Sequence, residues 1–279
     1  MILVLMKIGL TMKFKFKSKG KNAWFRVKKV LEKANIVLEV LDARDPLATR
    51  SLDLESLIKN LNKKFLLVLN KTDLVPKNIA KKWVEYLKSF GYIVTAINAK
   101  NKKDIEKLKR EIRSLVEEKP IVLAIVGYPN VGKSTLINGL KGRYVAETSP
   151  IPGFTKGEKL VKIDENFFIF DTPGILPLRK INLTELALKG FISPEKLKNP
   201  LTPALKLLNE ILRLMPNLLQ KTYKIKADDA YEVLKLLAAK RGFLLKGGEL
   251  NIDEASRLIL RDWQSGKLKF YKLPENFDL

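Results

Sequence analysis

The chain has 279 residues, with 53 lysines and arginines against 30 acids, and contains neither histidine nor cysteine. That excludes disulfides, thiolate metal sites and the commonest general base, so any chemistry must fall to Asp, Lys, Ser, Thr or backbone groups. Hydrophobic residues at 46% and charged residues at 30% suit a soluble globular chain with room for about two domains.

The apolar start Met1 to Met6 is too short for a secretory signal, and no run of about 20 apolar residues follows anywhere. A cytoplasmic chain without a membrane partner is expected, with Met12 as its natural start. Residues 1–30 hold nine basic residues and no acid. Within them, Lys13-Phe14-Lys15-Phe16-Lys17-Ser18-Lys19-Gly20-Lys21 interleaves aromatics with lysines, a composition that stacks on bases while tracking phosphates. The same composition also fits a solvated tail or edge strand. Residues 1–22 are therefore read as a basic arm.

Apolar, β-branched-rich runs at Ile36 to Leu41, Phe65 to Leu69, Tyr92 to Ile97 and Ile121 to Val126 predict strands. They alternate with helical patterns at Leu52 to Leu61, Pro76 to Phe90 and Asp104 to Val116, which predicts a parallel sheet with crossover helices. Two more strands, near Glu158 to Ile163 and Phe167 to Phe170, are expected to run antiparallel around a turn at Asp164-Glu165-Asn166. Past Gly190 the strand signal ends, and Pro194, Pro200 and Pro203 mark a linker. The expected division is a first domain over 23–195 and a helical domain over 196–279. In the latter, Leu205, Leu208, Ile211 and Leu212 share a helical face closed by Pro216. Tyr231, Leu234, Leu237 and Ala238 share another, and Asn251 with Glu254 forms a capping pair ahead of Leu258 and Ile259.

Gly127-Tyr128-Pro129-Asn130-Val131-Gly132-Lys133-Ser134 has the G-x-x-x-x-G-K-S spacing of a phosphate loop, after a strand and before a helix. Glycines let backbone N–H groups turn toward phosphate oxygens, and the helix start adds the positive end of its dipole. The predicted contacts are Asn130, Val131, Gly132, Lys133, Ser134 and Thr135, with Lys133 on the outer phosphates and the Ser134 hydroxyl on Mg²⁺. This loop alone does not separate ATP from GTP.

Four further segments complete a nucleotide site. Asp171-Thr172-Pro173-Gly174 follows a strand, so Asp171 is placed for Mg²⁺ and the Gly174 N–H for the γ-phosphate. Pro152-Gly153-Phe154-Thr155-Lys156 supplies Thr155 as a second hydroxyl ligand to Mg²⁺ on a loop that orders around the γ-phosphate. Asn70-Lys71-Thr72-Asp73 ends a strand with a carboxylate that accepts from guanine's N1–H and amine, donors that adenine lacks there. Lys71 is expected along the base face, Asn70 as a brace for the phosphate loop, and Asn98-Ala99-Lys100 as a loop closing over the base. The predicted catalytic groups are Lys133, Thr155 and Gly174.

The guanine segments precede the phosphate loop, the reverse of the order in regulatory GTPases. With Asp42-Ala43-Arg44-Asp45-Pro46 after the first strand, and Arg241-Gly242-Phe243-Leu244-Leu245-Lys246-Gly247-Gly248, Arg261-Asp262-Trp263 and Gly266-Lys267-Leu268 near the end, the chain resembles the circularly permuted GTPases of the YlqF/YawG family. The resemblance implies an α/β fold: a circularly permuted P-loop GTPase domain with a mostly parallel sheet, followed by a small all-helical C-terminal domain. It implies GTP hydrolysis in aid of ribosomal large-subunit assembly, with rRNA and the large subunit as partners and DNA not expected. Asn98 and Phe154 depart from the family's usual pattern. The Asp42 to Pro46 segment fits a structural turn with an Arg44–Asp ion pair as well as it fits a functional role.

Where many GTPases carry a water-orienting Gln, the chain has Ile175, so hydrolysis is expected to be slow and to rest on Mg²⁺, Lys133 and an added charge. Asn130 resembles the residue that marks potassium-activated GTPases, which implies K⁺ beside the GTP or GDP. Two other readings are a nucleotide kinase or ATPase that shares only the phosphate loop, and an RNA-binding module in which GTP tunes affinity without turnover. Because the segment after Gly174 runs directly into the helical domain, hydrolysis is expected to reposition that domain.

Overall fold

The computed structural model describes residues 18–142, 160–170 and 183–276. Lys13 to Lys17 of the basic arm, Pro152 to Lys156, and Asp171 through Ile175 lie outside them. Cα packing divides the chain into two units, one over 1–179 with 273–279 and the other over 180–272.

The first unit is built on six strands, β1 (Ile36–Asp42), β2 (Lys64–Asn70), β3 (Val94–Ala96), β4 (Ile121–Val126), β5 (Leu160–Asp164) and β6 (Phe167–Phe170). They lie in the order β3-β2-β1-β4-β6-β5, with β5 antiparallel to β6 and the other pairs parallel. The chain leaves β1 toward β2 and β3, then returns through a crossover to place β4 on the other side of β1. The order therefore reverses between β1 and β4, and loops at the carboxyl ends of those strands open the crevice where α/β sheets bind ligands.

Alternate side chains of β1 face opposite layers. Ile36, Leu38 and Val40 pack with Ile105, Leu108 and Ile112 of α4 (Lys102–Leu115) and with Leu136 and Leu140 of α5 (Lys133–Lys141). Val37 packs on the other face with Val27 and Leu31 of α1 (Ser18–Lys33) and with Leu54 and Ile58 of α2 (Leu52–Asn60). α3 (Lys77–Ser89) starts behind Pro76 and lies against β3, burying Trp83 and Leu87.

Several predicted bounds change. The strand expected from Tyr92 forms only over Val94–Ala96, because Gly91 turns the chain at φ +83° and Tyr92 is drawn into ring contacts with Phe65 and Arg50. Helix α1 is not among the predicted elements, and it starts at Ser18, so Ser18 to Asn22 of the basic arm are helical. Val27 and Leu31 are buried one turn apart on one face, and Ala34, just past the helix end, continues that stripe.

The second unit comprises α6 (Leu183–Leu188), α7 (Leu201–Leu214), α8 (Asn217–Tyr223), α9 (Ala230–Arg241) and α10 (Ile252–Ser265). Packing draws α6 into this unit, ahead of the proline-marked linker, because Ala187 is buried in the same core as Leu208, Leu237 and Ile259. Residues 273–276 pack instead with the first unit, where Glu275 pairs with Lys82 of α3 at 2.7 Å. Asp229 caps α9 by accepting from the Glu232 N–H at 2.8 Å, and Asn251 caps α10 by accepting from the Glu254 N–H at 3.0 Å. Leu237 is fully buried. Leu237→Ala is expected to destabilise this unit by about 2–5 kcal/mol, the usual range for a core leucine. Denaturant unfolding followed by circular dichroism measures it, and an unchanged midpoint would contradict the core described here.

Candidate functional site

The carboxyl ends of β1, β2, β3 and β4 bring together segments far apart in the chain. At the end of β4, Gly127 has φ +140°, and a Cβ there would meet the Val40 carbonyl oxygen at 2.6 Å. Gly132 has φ +99°, and a Cβ there would lie 2.2 Å from Asn70 Nδ2. Both glycines are thus demanded by close packing as well as by backbone conformation. Asn130 takes the left-handed conformation at φ +59° and is exposed. The chain then enters α5, where first-turn N–H groups have no partner within a helix and offer an anion site. Ser134 and Thr135 are exposed on that turn.

Lys133 donates to the Tyr128 carbonyl at 2.5 Å, so its ammonium is folded back across the loop. Burial pushes its pKa down to about 8. A phosphate group arriving at the loop would restore a charged partner and favour the protonated form.

Asn70, with 2% of its surface exposed, joins three loops. Its Nδ2 donates to the Val131 carbonyl at 2.9 Å, within the phosphate loop. Its Oδ1 accepts from the Ala99 N–H at 3.0 Å, within the loop after β3. The expected brace is therefore present and extends to the closing loop. Thr72 donates its N–H to the Ile97 carbonyl at 3.3 Å, and Lys100 Nζ stands 3.6 Å from Asp73 Oδ2. Asp73 itself is exposed and open to a ligand. Asn98 donates its N–H to Asp104 Oδ2 at 2.7 Å and accepts from the Lys100 N–H at 3.0 Å. This departure from the family pattern still shapes the turn, with Asp104 outside the motif as its partner.

Lys71, at φ +64°, turns its ammonium to Asp42 Oδ2 at 2.8 Å. Arg44 meets the same carboxylate through Nη2 at 2.7 Å and Nε at 3.0 Å. The structural turn expected for Asp42 to Pro46 is thus present. Burial pushes the Asp42 carboxyl up, but Arg44 and Lys71 outweigh it and hold the pKa at about 2. Behind the turn, Glu39 is fully buried in β1 and accepts the Ser51 N–H at 2.8 Å. Burial raises its pKa well above the usual carboxylate range, helped by neighbouring Glu55, which Arg50 holds at 2.8 and 2.7 Å. This buried carboxyl was not singled out from the sequence, since Glu39 stands alone among apolar residues there.

Of the residues expected to contact nucleotide, the structure brings together Asn70 to Asp73, Asn98 to Lys100 and Asn130 to Thr135. Thr155, Asp171 and Gly174 lie outside the described residues.

The family described as 50S ribosome-binding GTPase matches residues 122–237. An uncharacterised GTP-binding protein of Methanocaldococcus jannaschii is 39% identical over 88% of this chain and 66% of its own length. Nucleolar GTP-binding protein 2 of Saccharomyces cerevisiae is 34% identical over 92% of this chain and 54% of its own. The chain thus spans less than two thirds of these relatives. Among solved structures, GDP-bound YlqF of T. maritima superposes with a TM-score of 0.66 at 28% identity, covering 90% of this chain and 99% of that one.

Proposed function

The chain belongs to the circularly permuted GTPases of the YlqF/YawG family, and on that premise we propose that it is a GTP-binding and GTP-hydrolysing switch assisting assembly of the large ribosomal subunit. The observation that carries this reading is the pair of hydrogen bonds made by Asn70, which unite a guanine-type segment, a closing loop and a phosphate loop. A site that shared only a phosphate loop with ATPases would have no reason to bind that loop to an Asn-Lys-Thr-Asp segment.

In this reading Lys133 leaves the Tyr128 carbonyl for the outer phosphates, Asp73 leaves Lys100 for guanine, and Asn98 to Lys100 closes over the base. Ser134, with Thr155 and Asp171, is proposed to hold Mg²⁺, whose chemistry is to offset charge on the transferring phosphoryl group. Gly174 is assigned to the γ-phosphate, and Asn130 to K⁺. With Ile175 unable to orient water, turnover is slow until a partner or K⁺ adds charge. Hydrolysis rates measured in matched KCl and NaCl are expected to differ by at least tenfold, and equal rates would remove the potassium role.

The proposed partner is ribosomal RNA of the large subunit, met by the basic surface that begins on α1, where Arg26, Lys28 and Lys29 are exposed around an exposed Phe25. Sedimentation with purified large subunits tests the whole reading. The chain should co-sediment with a non-hydrolysable GTP analogue and separate with GDP, while Lys133→Ala should lose the difference. Identical sedimentation of the unsubstituted chain in both nucleotide states would reject the switch.

A further inference from the structure

Asp42 closes β1 with 6% of its surface exposed, and four donors meet its carboxylate. Oδ1 accepts from the Arg44 backbone N–H at 3.1 Å and from Arg44 Nε at 3.0 Å. Oδ2 accepts from Arg44 Nη2 at 2.7 Å and Lys71 Nζ at 2.8 Å. An ionised carboxylate offers about four acceptor positions, so this one is saturated. Its backbone is fixed as well, since the Asp42 N–H donates to Thr49 Oγ1 at 3.0 Å and Asp42 stands in parallel register with Asn70.

The consequence falls on Lys71. A lysine side chain has much rotamer freedom, which an unrestrained Lys71 would lose on lying against a ligand. Here its ammonium is anchored at the end of the neighbouring strand, while its backbone follows Asn70 at φ +64°. Both ends of the stem are held before any ligand arrives, and a preordered group loses less on binding. The Asp-x-Arg spacing explains why one carboxylate suffices: the turn brings the Arg44 N–H and guanidinium onto Asp42, orienting it and keeping it ionised for Lys71.

We propose that Asp42, oriented by Arg44, is a positioning residue for guanine recognition, anchoring Lys71 so that its methylene stem forms a preset platform for one face of the base. This rests on the reading of Asn70 to Asp73 as the guanine segment. Neither residue needs to touch the nucleotide.

A double-mutant cycle on the full chain tests it, with GDP affinity measured for the unsubstituted chain, Asp42→Asn, Lys71→Met and the double variant. Asp42→Asn is expected to weaken GDP about tenfold when Lys71 is present and less than twofold when it is Met, with pyrophosphate affinity unchanged throughout. Equal losses in both backgrounds overturn the positioning role, because damage to the fold alone would not depend on Lys71. ADP serves as the second arm: an unsubstituted chain that binds ADP as tightly as GDP overturns the guanine reading and this inference with it. Should Asp42→Asn not fold, nuclear magnetic resonance of the lysine ammonium groups in the unsubstituted, GDP-bound chain decides. A hydrogen-bonded, slowly exchanging Lys71 ammonium supports the anchor, and a freely exchanging one overturns it.

Discussion

Gly132→Ala is expected to lower GDP affinity at least a hundredfold and to destabilise the first unit by several kcal/mol. Two separate effects add. At φ +99° an alanine is strained, at about 1–3 kcal/mol for a side chain forced into sparsely populated backbone space. Its Cβ would also sit 2.2 Å from Asn70 Nδ2, so the amide must leave its position between Val131 and Ala99. Each buried polar group left without a partner costs about 1–3 kcal/mol. Gly91→Ala is the matching control: it too has positive φ, but nothing lies within 4 Å of the added carbon. It should lower stability modestly and leave GDP affinity unchanged. Isothermal titration with GDP and thermal unfolding read both variants. If Gly132→Ala bound GDP normally, the phosphate loop described here would not be the binding site.

Asp73→Asn should exchange one base for another. The carboxylate accepts two hydrogen bonds from guanine, and charge-assisted bonds of this kind contribute about 1.5–3 kcal/mol each. Replacing one acceptor oxygen with an NH₂ sets donor against donor, so GDP affinity is expected to fall about 10²- to 10⁴-fold. Xanthine carries a carbonyl where guanine has its amine, and the new NH₂ matches it, so xanthosine diphosphate should become the preferred ligand. Displacement of a fluorescent nucleotide by GDP and by xanthosine diphosphate measures the exchange. A variant that kept its GDP affinity would show that Asp73 does not read the base. Because Asp73 is exposed and its neighbour Lys100 stands at 3.6 Å, the substitution should barely alter folding.

How far the sequence predicts the structure depends on whether each signal is local. Ile121–Val126 and Phe167–Phe170 form as expected, because continuous apolar runs on strands covered from both faces have little else they could be. Helix α1 carries a weak local signal because lysines and aromatics crowd its sequence, while its buried stripe among the described side chains is Val27 and Leu31. The packing division and the proline-marked linker rest on different signals. Prolines at 194, 200 and 203 stand where helical segments begin, whereas unit membership follows packing, and Ala187 packs with the helical core. In the site, Asn70 was legible as a brace, since an asparagine at a strand end beside the phosphate loop has few other tasks. The Asp42 to Lys71 contact was not, because 29 residues separate its partners and only the parallel register of β1 with β2 brings them together.

The bridge made by Asn70 spans 61 residues of chain to reach Val131. Permutation has changed which segments are covalently continuous, yet this joint is made by a side chain and does not depend on that continuity. Its two hydrogen bonds make the base-reading and phosphate-holding halves a single unit of local opening. Amide exchange should therefore be correlated across the sheet edge: the Ala99 N–H and the amides around Val131 should become exposed in the same fluctuation. A ligand gripping either half would slow exchange in both.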